Sequence, residues 1–389
     1  MVAQLLLGWL LFFGDWPQFL GPHRDGVYGE AAPWPSDFAW QKYVGDGFAG
    51  PVISGGKLVL FHRRDNFEIV EAMEAKTGKP LWMFRYPTAY KDDFGFDPGP
   101  RATPTVSEGR VYTYGAEGVL HALDLETGKK LWRVDAGHWF NAPKGFFGAG
   151  GSPLVAHGKV YLNIGAKATG IAAFDAATGK LRWRGTTHGA SYSSPVDSPF
   201  GIVFLTATGI LVADPESGAV RYEQAWHSRS QVSVNAATPL VSGNVLFVSA
   251  SYGTGAIALD FSTMPPAKLW SSDEVLSAHY ATPVLTGGFL YGLHGRADHA
   301  GEQELRAVEL ATGRIAWSMK TYGAGTVTLL RDQIMMIRDD GQIFRIAPNP
   351  KELQVLGNFK TINGKVRAHP AVADGLVCLR NTKVLACLK

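Results

Sequence analysis

Arg101, Tyr192, Tyr280 and Arg367 occupy one and the same place in an internal rhythm of the chain. Each stands three residues before a proline that opens a short strand. Asn235 and His279 stand one position earlier in their own copies of that rhythm. Guanidinium groups give paired hydrogen bonds to carboxylates and phosphates, and aromatic faces stack on planar rings. Arginines and aromatics at one level of a fold therefore suit a planar anionic ligand. The alternative is that these side chains fill a solvated channel mouth and bind only water and backbone carbonyls.

The rhythm itself is marked by Pro51, Pro104, Pro153, Pro195, Pro239, Pro283 and Pro370, with Val327 at the missing step. The intervals run from 42 to 53 residues and define eight repeats. Each copy reads as four short strands: one that opens after the proline, where a missing N–H is tolerated, an alternating aromatic one such as "RVYTYG", a third such as "LHALDL", and a fourth carrying a tryptophan. Asp-x-x-Thr-Gly, as in "ALDLETGKKLW", is read as the hairpin turn before the fourth strand: glycine accepts positive φ and Asp and Thr bond local backbone. The tryptophan after it is placed to pack against the neighbouring unit.

Four strands per unit of about 44 residues is the signature of a β-propeller blade. The fold expected is all-β: an eight-bladed β-propeller with four-stranded antiparallel blades. The eighth repeat ends without its tryptophan strand, while Phe38–Val44 carries Trp40 and has no blade of its own. The last blade is therefore expected to be closed by this N-terminal strand, which removes an exposed sheet edge.

Within the repeats, the residue two before each strand opening is always Ala, Gly or Ser (Ala49 through Ala368), which implies close packing around the axis. The residue before that is not uniform: Phe48, Arg101, Gly150, Tyr192, Ala236, Tyr280, Ala324 and Arg367. The stretches 90–101 and 137–151 are long for entries into an inner strand. Long loops on a rigid scaffold are where recognition usually resides, and His138, Trp139 and Phe146 are placed to roof a pocket, or to pack on one another. His294, Arg296, Asp298 and His299 lie in a connection that reads as a solvated loop rather than a metal site.

The totals exclude several classes. A net charge of +3 without a basic run gives no footprint for nucleic acid. No nucleophile motif, phosphate cradle or paired-histidine spacing is present. Ala3–Gly14 is apolar, too short to span a bilayer and suited to an export signal; the other reading is a buried strand. The division expected is a signal over 1–14, an extension over 15–35 and the propeller over 36–389, in a periplasmic or secreted monomer with no transmembrane span. The two cysteines, Cys378 and Cys387, are expected as small buried apolar residues. They would face each other for bonding only if Thr382-Lys383 forms the intervening turn.

The repeats, "ALDLETGKKLW" foremost, resemble the pyrroloquinoline-quinone (PQQ) repeat propellers. These include quinoprotein alcohol dehydrogenases and an outer-membrane assembly lipoprotein. "DWPQFLGPHRDG" at Asp15–Gly26 is similar to the start of a group of secreted bacterial propellers. The resemblance implies one of two functions. The first is a binding or scaffolding propeller, holding a small anionic ligand or a protein partner on its central face. The alternative is an oxidoreductase using PQQ with calcium on alcohols or sugars. Dehydrogenases of the family commonly carry two adjacent cysteines beneath the cofactor, and this chain has no such pair. The binding role is therefore the one expected.

Overall fold

The computed structural model describes residues 14–30, 34–228, 230, 234–299, 301–320 and 323–389. The apolar segment assigned to export lies outside them except for Gly14. Eight sheets are arranged as the repeats require. Blades 1 to 7 span 52–87, 105–135, 154–185, 196–225, 240–272, 284–320 and 325–360, each in the sequence order of its strands. Blade 8 takes three strands from 371–388. Its outermost strand is Phe38–Tyr43, antiparallel to Val384–Leu388, so both ends of the chain close the ring. Apart from the single turn Ala136–Trp139, the described residues hold no α-helix, and no helix is long and apolar enough to cross a membrane.

The repeated motif acts between blades. The Asp124 carboxylate accepts from the N–H and hydroxyl of Thr127 at 2.8 and 2.7 Å, which fixes the turn. Gly128, at φ +70°, then lies flat against Trp82 of the preceding blade, where a Cβ would come within 2.5 Å of the ring. The Trp82 indole N–H donates to the Leu125 carbonyl at 2.8 Å. Trp40, Trp132, Trp183, Trp270 and Trp317 make the corresponding bond to the next blade. One short motif thus welds neighbours by apolar contact and by one hydrogen bond.

A second weld runs part of the way round the axis, from blade 1 to blade 6. The residue just before each strand-opening position is a hydroxyl in six blades. Thr103 Oγ1 accepts from Gly50 N at 2.9 Å, Ser152 Oγ from Thr103 N, Ser194 Oγ from Ser152 N, Thr238 Oγ1 from Ser194 N, and Thr282 Oγ1 from Thr238 N. The residues ahead of this belt are small because backbone passes close by; a Cβ on Gly151 would stand 2.8 Å from the Ser193 carbonyl.

The N-terminal extension is a working part of the ring. It runs along the face opposite the loops that enter the inner strands. Trp16 bridges Ile53 of blade 1, Val106 N of blade 2 donates to the Pro17 carbonyl, and Val27–Tyr28 adds a parallel fifth strand to blade 7. Leu329 N and Arg331 N donate to the Gly26 and Tyr28 carbonyls, and this inner strand, with Val327 in place of proline, extends over Gly325–Leu330 instead of three residues. Midway, buried Arg24 donates to the carbonyls of Ser152, Pro153 and Pro195 and to the Thr105 hydroxyl. Burial among these neutral acceptors pushes its guanidinium down to about 9.

The cysteines differ from the expectation of two separate apolar residues. Cys378 pairs directly with Cys387 and the two are disulfide-bonded. The register follows from the turn: Asn381 N donates to Val384 O at 3.0 Å, which leaves Thr382-Lys383 as the turn.

Candidate functional site

The loops that enter the inner strands make the upper face, and the structure divides the six candidate residues there into two groups. Over blades 2 to 5 lie Arg101, Tyr192 and Asn235. Arg101 pairs with Asp92 at 3.1 Å and donates to the carbonyls of Asp97 and Phe147. Its guanidinium also lies over the rings of Phe147 and Phe48, at 5.0 and 5.7 Å. Asp92 is almost wholly buried, and backbone N–H groups of Phe94 and Asp97 together with Arg101 hold its carboxyl below the usual range despite burial. The Tyr192 hydroxyl accepts from Phe147 N at 2.9 Å. Phe147 therefore bridges Arg101 and Tyr192. The Asn235 side-chain amide donates to Thr206 O, and the Asn235 main-chain carbonyl accepts from Tyr192 N.

Over blades 6 to 8 lie His279, Tyr280 and Arg367. His279 Nδ1 accepts from Ala297 N at 3.0 Å, which places the proton on Nε2, 3.0 Å from the Tyr252 hydroxyl. Burial pushes this imidazole down to about 4. Arg367 lies over the Tyr280 ring at 5.9 Å. Its buried Nε and the buried Tyr280 hydroxyl have no hydrogen-bond partner. No hydrogen bond or ring contact joins the two groups among the described residues, so they do not form one continuous ring.

The long loops roof a cavity off the axis, over blades 2 to 4. It holds about 450 Å³ and is lined by the side chains of Tyr90, Tyr114 and Tyr192, by Asn163 and by glycine backbone of the 137–150 loop. Two of those glycines are required by the rings: a Cβ on Gly150 would stand 2.7 Å from Tyr192, and one on Gly148 would stand 2.9 Å from Tyr90. At the rim, Lys144 pairs with Asp93 at 2.6 Å and lies over the Tyr90 ring. The Glu117 carboxylate accepts from the Thr88 hydroxyl and Ala89 N. Asp93, Gly145, Ala190, Ser191 and Tyr192 also line an adjoining cavity that reaches Asn235 and His227. Tyr90 belongs to the stretch that the sequence marks as long. Tyr114 carries no signal, since its strand alternates like every other second strand.

The same loops carry an aromatic crown. Phe94 and Phe96 stack at 6.2 Å, and Phe146 and Phe147 pack against Phe94 at 5.8 and 5.4 Å. Phe94 and Phe96 remain 52% and 60% exposed. Trp139 is exposed as well, while His138 bears on the cap of the short turn rather than on a pocket.

Among the described residues no group of three or more His, Cys, Asp or Glu side chains could hold a metal ion. The cysteines are bonded inside blade 8, and Arg101 is committed to Asp92. Arg296 pairs with Asp298 and lies over the Tyr252 ring at 4.3 Å, and His299 pairs with Glu302.

The family model described as outer membrane protein assembly factor BamB matches residues 66–319. BamB of Moranella endobia is 26% identical over 251 residues, 61% of this chain and 61% of that protein. The dehydrogenase subunit of the quinone alcohol dehydrogenase of Gluconobacter oxydans is 33% identical over 147 residues, 34% of this chain and 18% of that protein. Both matches span less than two thirds of the relative. The crystal structure of BamB from Moraxella catarrhalis superposes with a TM-score of 0.67 at 15% identity, over 92% of this chain and 98% of that one. Quinohemoprotein alcohol dehydrogenase ADHIIG from Pseudomonas putida gives 0.73 at 14% identity, over 97% and 80%. At such identities the likeness concerns the fold alone. Repeat, ring and family match agree that the chain belongs to the PQQ-repeat β-propeller family whose model is described as outer membrane protein assembly factor BamB.

Proposed function

We propose that this chain is an extracytoplasmic binding or scaffolding propeller that holds its partner on the upper face. The aromatic crown carries the reading. Large apolar side chains grouped on the loops of a rigid scaffold are unfavourable in water, and such patches mark interaction sites. Phe94, Phe96 and Phe146 form one group there, joined by ring contacts through Phe94. Membership in a family described by an assembly factor supports the same reading, as does a buried disulfide, which persists in oxidising compartments. A small anion at Tyr280 and Arg367 is compatible with it and is treated below.

The test is photo-crosslinking in cells of the source organism. A crosslinking residue replaces Phe96 or Phe146, with Leu131 on an outer strand as the control. Discrete protein adducts from the two crown positions and none from the control are expected. Equal labelling from all three positions overturns the reading.

A further inference from the structure

We propose that the cavity over blades 2 to 4 binds a zwitterion with an apolar body: an α-amino acid or dipeptide whose side chain is aromatic or a large aliphatic. The inference goes beyond the partner held on the crown and does not depend on it.

The charges at the rim select the ends of the ligand. Four charged residues line the cavity: Lys91, Asp93, Glu117 and Lys144. Lys144 and Asp93 pair with each other at 2.6 Å. That leaves one cation and one anion. Lys91 is exposed and makes no hydrogen bond or ion pair among the described residues. Glu117 is exposed too. It accepts from the Thr88 hydroxyl and Ala89 N through one carboxylate oxygen, Oε2, and has no cationic partner among the described residues. The two stand on the same stretch of the rim. Glu117 lies 3.0 Å from Ala89 N, and Lys91 follows Ala89 by two residues, which span at most about 7 Å of chain. An anion alone would be repelled by Glu117, and a cation alone by Lys91. A ligand with both an ammonium and a carboxylate answers both charges, and α-amino and α-carboxyl groups are ionised together near neutral pH.

The interior selects the body. Its side-chain hydrogen-bonding groups are already engaged. The Tyr192 hydroxyl accepts from Phe147 N, the Asn163 side chain donates to Gly170 O and accepts from Ser191 N, and the Ser191 hydroxyl donates to Leu205 O. The Tyr90 hydroxyl is sealed away behind its own ring. Only the Tyr114 hydroxyl is uncommitted among the described residues. What the cavity offers is ring faces and short apolar groups, from Tyr114, Tyr192, Ile164, Ala142, Pro143 and Ala149. A ligand rich in hydroxyls would give up its hydrogen bonds to water and regain few, whereas an aliphatic or aromatic side chain gives up none. The volume of about 450 Å³ lies in the range of small-ligand pockets.

The full chain is titrated by calorimetry and ligand-observed NMR with phenylalanine, leucine and leucyl-phenylalanine. At least one is expected to bind with a dissociation constant below about 1 mM. The amide of the best ligand lacks the carboxylate, and its N-acetyl derivative lacks the ammonium. Each should bind about three-fold more weakly, the worth of one exposed ion pair. Lys91→Gln should weaken the zwitterion to the same extent without weakening the amide. Glu117→Gln keeps an oxygen for Thr88 and Ala89, and should weaken the zwitterion without weakening the N-acetyl derivative. A merely structural role for either residue would not divide the ligands in this way. Ala190→Trp, at an exposed position of the lining, blocks the cavity and abolishes binding while leaving the unfolding midpoint unchanged. Preference for the dipeptide over both amino acids identifies peptide ends as the source of the ligand, and the reverse identifies the free amino acid. No binding by any of the three, derivatives that bind as tightly as the zwitterion, or binding that persists in Ala190→Trp overturns the proposal.

Discussion

Trp40 and Ala75 lie 35 positions apart in sequence and are joined by one hydrogen bond of 2.8 Å, from the indole N–H to the carbonyl. It fastens the closing strand of blade 8 to blade 1, where Gly78 would bring a Cβ within 2.7 Å of the same indole. Every other blade follows its neighbour in the chain, so only this junction holds the ring shut from both termini. Trp40→Ala is expected to cost about 3 kcal/mol, as for other large aromatic truncations. The measurement is a urea unfolding curve. A loss well under 1 kcal/mol would mean that the closing strand alone suffices.

Cys378 and Cys387 hold the same blade from within. They are nine positions apart and fully buried. Constraining a loop of that length is worth about 2.5 kcal/mol in the chain-entropy model. The double variant Cys378→Ala, Cys387→Ala should lose that amount. Because neither sulfur is exposed, millimolar reductant should leave native protein oxidised and act only above the unfolding midpoint. Rapid thiol labelling of the native protein under reductant would contradict the packing.

Stability should fall in weak acid. His369 and His121 are buried, and burial pushes both imidazoles down to about 3, aided at His121 by Arg133 and Lys130. Neither His369 nitrogen has a partner. Unfolded, each titrates near 6.5, so below that pH the unfolded state binds more protons than the folded one. Nothing is lost above pH 6.5; the loss grows from there down to about pH 3. At about pH 5 it amounts to about 2 kcal/mol per histidine. Burial likewise pushes His279 and His294 down to about 4, so His369→Leu should reduce the slope of the unfolding midpoint between about pH 6.5 and pH 5 by about a quarter. An unchanged slope would show that other groups set the acid limit.

What could be read from the sequence is what repeats. Proline at the strand start, Asp-x-x-Thr-Gly at the turn and tryptophan beyond it recur, so the blades and their closure by Phe38–Tyr43 follow from comparing copies. The hydroxyl belt was equally present, as Thr103, Ser152, Ser194, Thr238, Thr282 and Thr326, but hydroxyls beside a proline also suit ordinary turns. The extension has no second copy to compare. The position of Arg24 depends on carbonyls from blades that only the folded ring brings together. The cysteine register turned on which two residues make one turn. The site was legible as a level and not as partners: Asp92 lies in a loop that no other repeat shares, and it claims Arg101.

Arg101 and Arg367 hold the same place in their repeats yet should answer differently to substitution. Arg101→Gln removes the partner of a buried carboxylate and should cost about 3 kcal/mol. Arg367 makes no hydrogen bond or ion pair among the described residues and carries a buried Nε beside an unpartnered Tyr280 hydroxyl. Burial raises the nearby Asp339 carboxyl, while Arg367 draws it down, so the site is not strongly acidic. Arg367→Gln should therefore change stability by less than about 0.5 kcal/mol. If a small anion binds on the axis, this variant should weaken it about ten-fold, the worth of a charge-assisted hydrogen bond. Citrate, and PQQ with calcium, serve as probes in a calorimetric titration of both variants. Anion binding that survives Arg367→Gln and vanishes in a folded Arg101→Gln protein would place the anion over blade 2, against the pairing with Asp92.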